Sequence, residues 1–209
     1  MSMVDCNDIL NFWFATTDLT ADLELNETWF RSSDAFDAEI RDKFEATWQA
    51  AADGDLDHWM EAPDSCVALM VLMDQFPRNM FRGQGRAYAT DERARIAARR
   101  VLDKGWDQDF GKRFRSFCYL PFEHSEIAAD QEQAFTLMES LGEERSMKAA
   151  REHLDAIQRF GRFPHRNAAL GRTSTPEELE YLKDPPGWGK SASNNANTEG
   201  QGAEDKDHG

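Results

Sequence analysis

Two segments of the chain end alike: Asp74-Gln75-Phe76-Pro77-Arg78-Asn79, and Arg159 to Asn167, which carries Arg162-Phe163-Pro164-His165-Arg166-Asn167. Each closes an apolar, helix-like pattern with Phe-Pro and then presents Arg-Asn, the second with His165 inserted. Between them lies Tyr119-Leu120-Pro121-Phe122-Glu123-His124-Ser125-Glu126. Guanidinium, amide, imidazole and carboxylate groups therefore stand beside rigid prolines in three places. Arginine forks and amides recognise a carboxylate or phosphate bidentately. An imidazole oriented by a carboxylate transfers protons near neutral pH. Together these chemistries describe a site for a small anionic ligand.

Each of these residues also has a plainer reading. Arg78, Arg162 and Arg166 follow helix ends, where a cation bonds the last carbonyls and complements the dipole. Asn79 and Asn167 suit left-handed turn positions. Asp74 is placed to orient Arg78 or a histidine. His124 is either a general base or a hydrogen-bonded histidine at the edge of the core. Glu123, Glu126 and Asp130 form either a solvated acidic face or a metal-binding carboxylate face. The Glu-x-x-His and His-Glu-x-x-His spacings of helical metal sites are absent, so no metal is assigned. Cys118, among Phe117, Tyr119 and Leu120, reads as a buried thiol. The reading names no cofactor.

Positioning these groups requires helices. Phe36, Ile40, Phe44, Trp48 and Ala51 recur near a 3.6-residue period, with Asp34 as cap and Gly54 as stop. The run Cys66 to Met73 is apolar on nearly all sides and predicts a buried central helix ended by Pro77. Thr90-Asp91-Glu92 opens the next, closed at Gly105. Pro121 is read as opening a helix to about Leu141, with His124 in its first turn and on the packed side. Glu143 to Phe160 follows, with His153 bordering its apolar stripe and Gly161 closing it. An antiparallel pairing of these two brings His124 near Phe160 to His165. Thr175-Pro176-Glu177-Glu178 is a capping box with proline at the first helical position, and its helix should run to about Lys183. No segment alternates with period two, so no strand is predicted. The architecture is all-α, an irregular bundle or tetratricopeptide-like superhelix of roughly seven or eight helices. Residues 1–188 are read as a single helical domain, and 189–209 as a disordered acidic and polar tail.

Charge and composition narrow the function. Net charge is −15 overall. Residues 1–75 hold 3 Lys/Arg against 17 Asp/Glu, while 76–172 hold 18 against 14. The acidic first third repels nucleic acid and anionic lipid; the arginine-rich middle is where an anion would be held. No apolar run approaches the ~20 residues that span a bilayer, and no secretory leader is evident. Three well-separated cysteines argue against a disulfide framework. A cytoplasmic protein with no nucleic-acid or membrane partner is expected.

Asn11-Phe12-Trp13-Phe14, Trp29-Phe30, the Asp74–Asn79 segment, Tyr119–Glu126 and Phe160 to Arg172 together resemble the bacterial domain-of-unknown-function 924 family, over about residues 8 to 184. The resemblance implies an all-α, tetratricopeptide-like fold and a shared site without chemical roles. Two functions stand open. In one, Arg78, Asn79, Arg162, His165, Arg166 and Asn167 hold an anionic metabolite, and His124, helped by Glu123 or Glu126, hydrolyses it or transfers a group. In the other, a peptide or protein partner binds a helical scaffold in which these polar residues are structural. The first requires Arg78, His124 and Arg166 to converge.

Overall fold

The computed structural model describes residues 3–30 and 33–189. The predicted tail, Gly189 apart, lies outside the described residues. Among these, the secondary structure is helical with no strand, as expected. Nine α-helical segments run in order: α1 Cys6–Phe14, α2 Asp34–Asp53, α3 Pro63–Met70, α4 Phe76–Met80, α5 Asp91–Asp103, α6 Lys112–Glu123, α7 Ala128–Leu141, α8 Glu144–Phe160 and α9 Pro176–Tyr181. They pack as an irregular bundle in which α3 touches α1, α5 and α6, and α7 lies between α6 and α8.

The rod running from α3 into α4 is the axis of the molecule. Cys66 to Met73 are all buried, as an all-round apolar run requires. Pro77 does not end this rod. Proline leaves the carbonyl four residues back, that of Met73, without its helical donor. The Thr90 hydroxyl donates to that carbonyl at 2.6 Å and accepts from the Trp48 indole at 3.1 Å. The expectation that Pro77 stops the helix therefore fails because a tertiary donor replaces the missing one. Just before it, Val71–Gln75 form a π turn, in which the Phe76 N–H reaches back to the Val71 carbonyl. This joins α3 and α4 into one continuous rod.

A second correction concerns Pro121. It lies inside α6, in its last turn, rather than opening a helix. The chain breaks after Glu123, and α7 starts afresh at Ala128. Buried Gln131 clasps the freed carbonyls, donating to those of Glu123 and Ser125 at 2.6 Å each. The Ser125 hydroxyl donates to Asp130 at 2.7 Å and accepts from the Ile127 N–H at 3.1 Å. His124 thus sits at the C-terminal end of α6, not in a first turn.

Ser33, one residue before Asp34, caps α2 by accepting from the Phe36 N–H at 3.4 Å. Thr90 precedes α5 but spends its hydroxyl on Met73 instead of capping. Gly142, at φ +66°, turns the chain between α7 and α8 and lets them pair antiparallel as predicted. The capping box at α9 is present, with Thr175 accepting from the Glu178 N–H at 3.2 Å and Glu178 accepting from the Thr175 N–H at 2.7 Å. Gly111 donates its N–H to the Leu19 carbonyl at 2.8 Å. A β-carbon there would lie 2.0 Å from the Ala21 oxygen, so only glycine allows this approach.

Candidate functional site

The π turn sets Asp74, fully inside the protein, against the end of α6. The His124 Nδ1 lies 2.8 and 3.0 Å from the two Asp74 carboxylate oxygens. Burial works against the Asp74 carboxylate, yet Arg78 and His124 outweigh it and hold its ionisation well below the ordinary carboxylate range. An ionised carboxylate only accepts, so Nδ1 carries the proton. Burial pulls the His124 imidazole down from its ordinary value; Asp74 resists, and Arg78 sides with burial. The ring is therefore neutral at neutral pH and presents the Nε2 lone pair, which has no hydrogen-bond partner among the described residues. The His124 side chain keeps 16% of its surface exposed.

The two arginines meet on a second carboxylate. Arg78 grips Asp91, in the first turn of α5, through paired bonds of 2.9 and 3.0 Å. Arg166 donates to the same carboxylate at 3.1 Å and to the backbone oxygen of His124 at 2.9 Å. Its guanidinium lies 4.5 Å from the Tyr88 ring centre and 4.7 Å from that of Phe163. Arg78, His124 and Arg166 therefore converge, each within two hydrogen bonds of the next. Arg78 remains 20% exposed and Arg166 is 7% exposed, so an approaching molecule meets Arg78 first.

Next to this pair lies a more deeply buried group of residues. Glu123 is buried, with one oxygen 3.2 Å from His153 Nδ1 and the other, Oε2, without a partner. Burial, reinforced by Asp74, pushes its carboxyl up to about 8. His153 Nδ1 donates to the Ala149 carbonyl at 2.8 Å, and its ring lies 6.1 Å from that of His124. The Trp188 indole stacks on His153 at 3.8 Å and donates to Glu152 at 3.1 Å. His165 meets the indole nearly edge-on at 5.4 Å. Its buried Nδ1 has no partner, and burial, helped by Arg166 and Arg78, brings its pKa down to about 3.

The remaining predicted residues lie elsewhere. Asn79 donates to Asp37 of α2 at 2.8 Å, where Arg82 also binds. Arg162 grips Glu178 of α9 at 2.6 and 2.8 Å. Asn167 donates to Ser174 at 3.0 Å and Glu178 at 3.3 Å. Glu126 does not assist His124; it pairs with Arg172 at 2.7 and 2.9 Å and accepts from the Phe163 N–H at 2.8 Å. These four tie segments together. Cys118 is fully buried, and burial raises its thiol well above the ordinary value, so it is no nucleophile.

Four members of the cluster were not among the predicted site residues, and one of them, His153, read only as bordering an apolar stripe. Asp91 read as a dipole complement in a first turn, Tyr88 carried no motif, and Trp188 stood at the edge of the apparent tail. The recurrence of Arg after Phe-Pro was the signal that a shared counter-ion existed; nothing local named it. No group of three or more His, Cys, Asp or Glu among the described residues is arranged to hold a metal ion. A wide surface depression of about 420 Å3, lined by Met60, Ile96, Arg99 and Arg100 among others, shares no residue with the cluster. No helix among the described residues is long and apolar enough to cross a membrane.

Comparison with known proteins places the fold in company. A solved structure of a protein of unknown function from Agrobacterium tumefaciens is 43% identical in sequence and superposes with a TM-score of 0.78, covering 86% of this chain and 97% of that one. No curated protein matches. The bacterial family of unknown function DUF924 matches residues 9–186, a span that contains every residue of the cluster except Trp188. The chain belongs to that family.

Proposed function

We propose that Asp74 and His124 form the general base of a site that hydrolyses, or transfers a group on, a small anionic metabolite. The observation that carries this is the Asp74–His124 contact, with Nδ1 committed to a carboxylate that Arg78 also meets at 3.2 Å and Nε2 free of any hydrogen bond among the described residues. In the proposed step Nε2 takes a proton from water or a substrate hydroxyl, and Asp74 stabilises the imidazolium that forms. Arg78, the more exposed of the two arginines, would stabilise the charge that develops on the departing or carbonyl oxygen. Asp74 and Asp91 balance Arg78 and Arg166, so the cluster has no surplus positive charge. The ligand suited to it carries few charges and gains affinity from hydrogen bonds as well as from attraction.

Asn79, Arg162 and Asn167 fit the alternative of a peptide-binding, tetratricopeptide-like scaffold, in which such residues hold helices in register. The Asp74–His124 pair supports the first reading, because a carboxylate that fixes the Nδ1 proton leaves the other ring nitrogen as the acceptor a general base uses. The test combines turnover and binding. Wild type and His124→Gln are assayed on p-nitrophenyl acetate and p-nitrophenyl phosphate, and wild type is screened with carboxylated and phosphorylated metabolites for a rise in melting temperature. The expected result is a loss of about 10²- to 10⁴-fold in His124→Gln with its folding intact. Absence of turnover and of any stabilising metabolite, together with ready unfolding of the variant, would mark the cluster as structural.

A further inference from the structure

We infer that Glu123 is the proton donor of this site, a neutral carboxylic acid whose second oxygen serves the leaving group of the substrate. The inference rests on the reading of His124 as base and adds the group of opposite protonation. Its geometry is unusual for a carboxyl inside a protein. Among the described residues no Lys or Arg pairs with Glu123; its one ionisable contact is His153, at 3.2 Å. The His153 Nδ1 proton is already directed to the Ala149 carbonyl at 2.8 Å. Oε2 is shielded from water and has no partner. A carboxylate so placed would be a buried, unpaired charge, which proteins avoid by keeping the proton.

Three further features act in the same direction. Glu123 occupies the last residue of α6, at the negative end of the helix dipole, where a carboxylate is disfavoured. Asp74 repels a second negative charge nearby, consistent with a carboxyl that holds its proton up to about 8. His124 follows Glu123 directly in the chain, and the His153 ring lies against both. Adjacent groups pushed to opposite protonation states are the arrangement an acid–base pair needs.

The step balances without an external reagent. His124 Nε2 takes a proton from water as the water oxygen bonds to the acyl or phosphoryl centre. The bond from that centre to the leaving oxygen breaks, and the Glu123 Oε2 proton passes to that oxygen. The proton held by His124 then passes to solvent, and Glu123 regains one from the water that follows the leaving group out of the site, restoring both groups.

The experiment uses the full chain and Glu123→Gln, which keeps shape and removes the transferable proton. Infrared difference spectra of wild type against the variant at neutral pH are expected to show a protonated carboxyl that the variant lacks. Turnover is compared on p-nitrophenyl acetate and ethyl acetate, and on p-nitrophenyl phosphate and ethyl phosphate. An alkoxide needs a proton to leave and p-nitrophenolate does not, so the variant should lose about 10²- to 10⁴-fold on the ethyl compound and far less on its p-nitrophenyl counterpart. An ionised Glu123, or equal losses on both leaving groups, would overturn the assignment while leaving His124 in place. A wild type inert towards all four compounds would remove the base and, with it, the donor.

Discussion

Asp74 and Phe76 are separated by one residue, yet they belong to two regions built on opposite principles. Around Phe76 the interior is aromatic. Its ring lies 4.7 Å from Phe44 and 5.5 Å from Trp13, while Phe14 meets Phe114 at 4.4 Å and Phe117 at 5.1 Å. Edge-to-face and tilted rings of this kind hold by area and quadrupole, and they leave few polar groups to satisfy. Around Asp74 the interior is ionic, and some polar atoms have no partner at all: Glu123 Oε2, His165 Nδ1 and Arg166 Nε. The aromatic side gives the fold what a core needs. The ionic side costs desolvation that well-packed apolar groups would avoid. A helical protein can be stable without such a cluster, and it is this cost that the proposed function would account for.

The sharpest way to break the comparison is to remove the shared counter-ion. Asp91→Ala leaves Arg78 and Arg166 without their common carboxylate, and breaking a buried pair typically costs about 3–5 kcal/mol. Denaturant unfolding should show a loss of that order; a change below about 0.5 kcal/mol would mean the arginines are solvated instead. On the apolar side, Leu72→Ala should cost about 2–5 kcal/mol, since Leu72 is fully buried and its cavity cannot collapse completely. A cost under about 1 kcal/mol would show the central rod to be loosely packed.

A third effect is a pH dependence, and its sign is determined. Folding raises the Glu123 carboxyl from the ordinary 4.5 to about 8. Between those values the unfolded chain has released the proton and the folded chain has not, so stability falls as pH rises through that window. His165, whose pKa folding brings from 6.5 to about 3, gives the opposite slope below 6.5. That slope is common to wild type and Glu123→Gln, and it cancels in their difference. The difference in melting temperature should therefore turn steadily against wild type as pH rises from 4.5 to about 8 and level off above. A flat difference would show that Glu123 ionises normally.

The helices were legible because apolar periodicity is local, and so was the approach of His124 to the Phe160–Arg166 segment, expected from an antiparallel pair of helices; that Arg78, on α4, joins them was not. What stayed hidden was supplied by distant partners. Pro77 obeys its local rule, and the rule is overridden by one hydroxyl thirteen residues on, in Thr90. Pro121 was taken for a helix start because the clasp that ends α6 comes from Gln131, in the next helix. Glu126, Asn79, Arg162 and Asn167 look like ligand groups by type and position. Only the positions of Arg172, Asp37, Glu178 and Ser174 show that they are ties. Asp91 was missed for the converse reason: an acid in a first turn already has a sufficient local explanation.

The π turn at Val71–Gln75 makes the candidate pair depend on a count. Restoring a regular α-helix would require one residue fewer, and each residue of an α-helix turns the chain by about 100°. Deleting a single apolar residue from this rod would remove the turn that sets Asp74 against His124, though every group of the pair would still be present in the chain. Here the alignment of Asp74 with His124 is encoded in chain length as well as in side-chain identity, and it can be lost without substituting either residue.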